Sequence, residues 1–145
     1  MPIDVHILQN GAGRLWMCHG VLRGKDFIAN NERILTTKSY KGVRWVLIDE
    51  TDATLRDFSP EEIRIIQQRD DRLAAVLPEL VAAVVAPKDF SFGMSRMWEM
   101  MTERPGWSVR AFRSRLEAEA WLREEVRRKF GLELPDSLSP PEPRP

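Results

Sequence analysis

The chain has 145 residues, the size of one domain with its own core. Its 22 Lys and Arg balance 22 Asp and Glu, so it lacks the positive field that draws a protein to nucleic acid or to an anionic membrane surface. A single cysteine, Cys18, rules out an internal disulfide and a cysteine-rich metal site, and no apolar run approaches the roughly 20 residues that span a bilayer. The opening Met1-Pro-Ile-Asp4 has neither the basic flank nor the apolar stretch of a secretion signal, so a reducing cytoplasm is the expected location.

Val5-His-Ile-Leu8 is short and apolar and runs into Asn10-Gly-Ala-Gly13, which predicts a strand and a tight turn. Residues 14–22 resume as a second strand, closing an antiparallel hairpin. On it Leu15, Met17 and Val21 share one face and Trp16, Cys18 and Leu22 the other, which predicts cover on both sides. Residues 25–38 carry Phe27, Ile28, Ile34 and Leu35 at helical spacing. Residues 43–48 form an apolar third strand ending at Asp49. Ser59-Pro60-Glu61-Glu62 is a helix start: a capping Ser, Pro at the first helical position and Glu at the third. Ile63, Ile66, Leu73 and Leu77 mark the buried stripe of that helix, and Pro78 stops it.

Leu80-Val-Ala-Ala-Val-Val-Ala86 reads as a buried fourth strand. After it, residues 90–101 put four of the six methionines on one helix, with Met94, Met97, Trp98 and Met101 in a stripe. Arg104-Pro105-Gly106 is a turn and residues 107–112 a fifth strand. Ser114 and Glu117 form a second capping box. Ala118, Trp121, Leu122, Val126 and Phe130 are the stripe of a last helix that Gly131 ends. Residues 132–145 hold five of the ten prolines and are expected to be a disordered tail following a domain of residues 1–131. The order ββαβαβαβα predicts an α/β fold: a mixed, mainly parallel five-stranded sheet with helices packed on it.

Trp45-Val-Leu-Ile-Asp49, Val85-Ala-Pro-Lys-Asp89, Phe92-Gly-Met-Ser-Arg-Met-Trp98, Val109-Arg-Ala-Phe-Arg113 and Glu117-Ala-Glu-Ala-Trp-Leu122, in this order and spacing, resemble the SpoIIAA-like family. That family is related to the STAS domains of anti-anti-sigma factors and is often compared with lipid-binding CRAL-TRIO domains. The resemblance spans roughly residues 3–128 and implies the fold above in a bacterial protein. Many STAS proteins carry Asp-Ser-Ser-Gly at the helix start after the third strand, with phosphorylation on the second serine. Asp57-Phe58-Ser59-Pro60 stands there, so the resemblance implies Ser59 as the phosphorylation position, with Phe58 and Pro60 departing from the pattern.

Ser59 has two readings: a phosphorylated switch at a helix N-terminus, or a plain cap contributing about 1 kcal/mol. The methionine-rich helix has three. Phe90, Phe92, Met94, Met97 and Trp98 can hold a lipid or other apolar small molecule against the sheet, with Lys88 or Arg113 taking its polar end. The same face can bind a protein partner or form a homodimer, or it can simply be packed core. A receiver-type phosphoacceptor site is disfavoured, because Gln9 and Asn10 stand where it needs an acidic pair. His6 and His19 have no neighbouring ligands in sequence, so no metal or cofactor is expected, and Cys18 is expected to be a buried, inert thiol. The expectation is a non-enzymatic interaction or ligand-binding module, with a phosphorylation-controlled regulator resembling an anti-anti-sigma factor as the alternative.

Overall fold

Ile3–Leu8 (β1) and Gly13–Arg23 (β2) pair antiparallel, joined by a single 3-10 turn at Gln9–Gly11. That turn needs three left-handed residues in a row, Gln9, Asn10 and Gly11 at φ 52, 54 and 99°, the last of which suits only glycine. The computed structural model describes residues 2–37 and 40–140. Three more strands follow: Trp45–Arg56 (β3), Leu80–Val85 (β4) and Trp107–Phe112 (β5). The sheet order is β1-β2-β3-β4-β5, parallel from β2 onward. The fold is therefore the mixed, mainly parallel five-stranded α/β architecture that the sequence predicts.

Gly24–Thr37 (α1), Pro60–Val76 (α2) and Asp89–Met101 (α3) are the three crossovers. The expected last residue of α1, Lys38, lies outside the described residues. Successive parallel neighbours joined by right-handed crossovers place all three helices on one face. Phe27 and Ile34 of α1, Leu73 and Ala74 of α2, and Phe92, Met94 and Trp98 of α3 pack there on Trp16, Cys18, Ile48 and Val84. Arg115–Phe130 (α4) covers the opposite face, where Ala118, Leu122 and Val126 pack on Leu15, Trp45, Leu47 and Val81. Ser114 accepts from the amide of Glu117 at 3.4 Å, and Gly131 closes the helix at φ 66°. The reciprocal Glu117 bond that a capping box needs is not among the bonds of the described residues.

Two expectations are corrected. β3 does not stop at Asp49; it runs on through Glu50-Thr-Asp-Ala-Thr-Leu-Arg56. The polar run stays extended because β2 continues alongside it and supplies the ladder, which outweighs weak local preference. Between Met17 and His19 of β2, the partner residues step from Asp49 to Asp52, so β3 carries one extra residue, a bulge.

Nor are residues 132–140 a free tail. Leu134 and Leu138 are buried against the face that α4 covers, Leu138 at 1% exposure. The cause is geometric: five strands about 4.8 Å apart make a face wider than the ~10 Å of one helix. The tail's backbone has no ladder, so arginines satisfy it. Arg123 donates to the carbonyls of Pro135 and Asp136 at 2.8 and 3.0 Å, and Arg115 donates to that of Leu138. Residues 141–145 of the expected tail lie outside the described residues.

Trp45, fully buried, packs its indole on Gly13, where a Cβ would come within 2.0 Å of the ring. Its N–H donates to Gln9 Oε1 at 2.9 Å, and Gln9 Nε2 donates in turn to the carbonyl of Glu133 at 2.6 Å. The hairpin turn, the central strand and the tail are thus tied together.

Candidate functional site

A cavity of about 110 Å³ lies between the sheet and the three helices on its first face. Its floor is Trp16 of β2, Ile48, Glu50 and Leu55 of β3, and Val84 of β4. The bulge sets this floor: Ile48 and Glu50 face the helices before it, and Leu55 returns to the same side after it. α1 adds Phe27 and Asn31, and Phe58 tilts against Phe27 with ring centroids 5.8 Å apart. α2 presents Ile63, Ile66, Gln67 and Asp70. α3 closes the cavity with Met94, Ser95, Met97, Trp98 and Met101. Met97 and Met101, at 37% and 38% exposure, are the exposed members of the lining and form its mouth.

Two carboxyls are buried in this apolar wall. Glu50 is 3% exposed and accepts from the Ser95 hydroxyl at 3.3 Å. Burial pushes its pKa up to about 8, with the nearby charge of Asp49 adding to the rise and the Ser95 bond opposing it. Asp70 accepts from the indole N–H of Trp98 at 2.8 Å. Burial pushes it up to about 6, against the Trp98 bond and the attraction of Arg104. The cavity at neutral pH therefore holds one largely neutral acid and one largely ionised one. Among the described residues neither Lys, Arg nor His lines it.

Of the residues singled out in the sequence, Met94, Met97 and Trp98 meet at the cavity together with Met101, as their helical stripe requires. Phe90 does not; it stands at 56% exposure. Phe92 packs on the core outside the lining, and the Arg113 guanidinium sits 4.4 Å over its ring. Arg113 also donates to Asp89 at 2.8 Å and to the Pro87 carbonyl at 3.2 Å. Lys88 donates to the Ala53 carbonyl at 2.7 Å, pinning the start of α3 to the far end of β3. Neither cation turns to the cavity.

Glu50, Asp70, Trp16, Phe27 and Phe58 are not among the residues assigned to a ligand site from the sequence, although Phe27 falls on the predicted stripe of α1, Trp16 on one face of β2, and Glu50 in the acidic run after the apolar part of the third strand. Asp70 also left a signal, because it sits at the same spacing as the apolar stripe of α2. Ser59 is exposed at the start of α2 and makes both halves of a capping box with Glu62, each at 3.1 Å. Cys18 is buried, and burial together with Glu50 and Asp49 pushes its thiol far up, so it stays protonated. His19 meets Asp4 at 3.0 Å on the surface. Among the described residues no group of three His, Cys, Asp or Glu is placed to hold a metal, and no helix is long and apolar enough to cross a membrane.

A wider recess, about 530 Å³, opens along β1 between Val5, Ile34, Leu73 and Leu77. Its rim includes Tyr40, beside residues outside the described set, and its cations are already engaged: Arg14 with the Gly11 and Gly13 carbonyls, Arg33 with Asn30.

No family model matches the chain, and no curated protein does. Solved structures match. One is an uncharacterized protein of the DUF3478 family with a SpoIIAA-like fold, from Shewanella loihica PV-4: 19% identity over 83% of this chain and 91% of that one, TM-score 0.49. Another is the anti-sigma factor antagonist SpoIIAA in its unphosphorylated form, 12% identical over 86% of this chain and 97% of that one, TM-score 0.48. A third is the Bacillus cell fate determinant SpoIIAA in the phosphorylated form, 12% identical over 83% and 99%, TM-score 0.51. The fold is SpoIIAA-like, and the fold is what these structures share with the chain. None of the three is a CRAL-TRIO protein.

Proposed function

We propose that the chain is a non-enzymatic binding module that holds a small, mainly apolar molecule beneath α3. The cavity carries this reading. Protein interiors are close-packed, so a mainly apolar space of 110 Å³ that the core leaves unfilled and that opens at Met97 and Met101 is one an apolar occupant can fill with favourable contact. The flexible thioethers of Met97 and Met101 at the mouth suit entry and exit. Lys88 and Arg113, engaged elsewhere, are set aside as headgroup contacts; Phe90 belongs to the outer side of α3, and Phe92 packs on the core beside the cavity. That side, with Phe90 and Met100 at 56% and 70% exposure, is the surface a protein partner or a second copy would use.

The test is intact mass of the cell-purified protein, first native, then denatured. The expected result is an excess that disappears on denaturation. Met97→Lys, which puts a charge at the mouth without touching the sheet, should abolish that excess and leave the fold intact. Retention of the same ligand by a folded Met97→Lys protein would sink the reading.

A phosphorylation-controlled regulator is the second reading. What favours it is the exposed Ser59 hydroxyl at the first turn of α2, on a fold shared with a protein solved in phosphorylated form. A phosphate there would gain the free amides of the helix start. The expected sign is one phosphate that survives denaturation and maps to Ser59. Ser59→Ala would remove it at a cost of about 1 kcal/mol in capping. Unmodified Ser59 in protein from cells grown under varied conditions would exclude the switch.

A further inference from the structure

We propose that the molecule held beneath α3 is an organic ammonium ion, its charge met by Glu50 and its alkyl groups lying against Trp16, Phe27, Phe58 and Trp98; this rests on the cavity being a binding site. Four observations converge. Every charged side chain in the lining is acidic. Four aromatic rings, from β2, α1, the loop before α2, and α3, bound the same small space, and ring faces attract cations, most strongly where water is excluded. Among the described residues Glu50 has one long hydrogen bond, from Ser95, which leaves most of its acceptor capacity for a ligand. Trp16 is buried, lines both this cavity and the recess along β1, and its indole N–H has no partner among the described residues, so a ligand hydroxyl would supply an acceptor for it. Size sets a condition: a cavity of roughly 150 Å³ takes benzene and a tetramethylammonium head is no smaller, so at 110 Å³ the flexible Met97 and Met101 at the mouth must move outward to admit it.

The proton balance follows from what faces Glu50. Cys18 on β2 stays a neutral thiol, Ser95 on α3 donates, Asp49 on its own strand is negative, and Asp70 on α2 shares the cavity, with Arg104 and Asp71 acting on it from outside. In the empty cavity at pH 7 Glu50 is mostly protonated. A quaternary ammonium brings no proton, so its arrival drives the Glu50 proton into solvent and leaves a carboxylate beside the cation. Affinity then rises with pH until Glu50 is ionised without help. With the carboxyl near 8, the gain from pH 6.5 to 8.5 is roughly 20-fold.

The probes are choline and its uncharged carbon isostere 3,3-dimethylbutan-1-ol, titrated into the full chain at both pH values and followed by the indole N–H resonances of the five tryptophans. Choline should perturb the Trp16 and Trp98 signals and tighten by that factor at pH 8.5, while the alcohol should bind more weakly and without pH dependence. Glu50→Gln should cost choline tenfold or more and spare the alcohol; if that variant fails to fold, the two probes on the wild type decide alone. Alcohol binding equal to or tighter than choline, at both pH values, would overturn the ammonium assignment and leave the cavity reading standing. If neither probe binds, and benzene does not enter either, the cavity reading falls and takes the proposal with it. A free amine and an alkylated lysine of a partner protein share this chemistry. Tighter binding of a trimethyllysine peptide than of choline would assign the second source, and the reverse the first.

Discussion

Replacing Glu50 with Gln should stabilise the protein at alkaline pH and leave it nearly unchanged near pH 5. The wild-type carboxyl is buried at 3% exposure and its pKa rises from an ordinary 4.5 to about 8. Below 4.5 the group is protonated in folded and unfolded chains alike, and burial costs no charge. Between 4.5 and 8 the unfolded chain releases the proton and the folded one keeps it, so stability falls steadily as pH rises. Above 8 the folded protein must hold a buried carboxylate, and the loss levels off. At 1.36 kcal/mol per tenfold change in proton affinity, the gap from 4.5 to about 8 amounts to roughly 5 kcal/mol. That is an upper bound, because an ionised Glu50 can draw water in past Met97 and Met101. Gln has the same shape, can still bond Ser95, and carries no proton to lose. Urea denaturation of both proteins at pH 5, 7 and 9 measures the difference directly, and subtraction cancels the contributions of other groups, including Asp70. The variant should gain about 2–4 kcal/mol over wild type at pH 9 relative to pH 5. Parallel pH profiles would show that Glu50 is solvated or charge-paired in the folded state and would refute the argument.

Trp98→Phe keeps the ring but removes the N–H that favours ionised Asp70, so the Asp70 titration, followed by carboxyl NMR, should move upward from about 6; a downward shift would contradict the bond. Leu138→Ala should cost about 2 kcal/mol in urea denaturation, at the low end for a buried leucine, because a terminal segment can lift off whole instead of leaving a void. Backbone amides of residues 132–140 should then exchange faster, and a loss below about 0.5 kcal/mol would mean the segment is not docked. Gly13→Ala drives a methyl to 2.0 Å from the Trp45 indole, which is walled in; thermal unfolding should show a loss of about 3 kcal/mol, and an unchanged midpoint would show that the ring has room to move.

The strands and helices were legible because their signals are local. Apolar runs, the Ser59 cap with Pro60, and the stripes of α2, α3 and α4 each lie within a few turns of chain. The cavity was legible only from its roof: the spacing of Met94, Met97, Trp98 and Met101 predicts one face, and that face closes the space. Asp70 could have been found as well, since Ile63, Ile66, Asp70, Leu73 and Leu77 follow one another at steps of three and four, and an acid on an apolar stripe marks a buried polar site. Glu50 could not. Its place in a strand depends on β2 running long beside it, a pairing between residues some thirty apart. Lys88 and Arg113 misled for the converse reason: their charge is visible in sequence, while the carbonyls and carboxylate that claim it belong to other elements. The tail misled through composition, since its prolines speak of disorder and two leucines decide otherwise.

The extra residue in β3 acts as a change of reading frame. Upstream of it, even-numbered side chains such as Val46, Ile48 and Glu50 look toward the three helices; downstream, odd-numbered Ala53 and Leu55 do. One strand thus addresses the same side of the molecule in two phases. Because β2 alternates without interruption, with Trp16, Cys18 and Leu22 all on the helix side, deleting one residue between Glu50 and Asp52 would straighten the bulge and leave Ala53 and Leu55 on the side they already face. What the extra residue supplies is a local bend at the cavity floor, and losing it would move Glu50 and Leu55 relative to each other without turning either over.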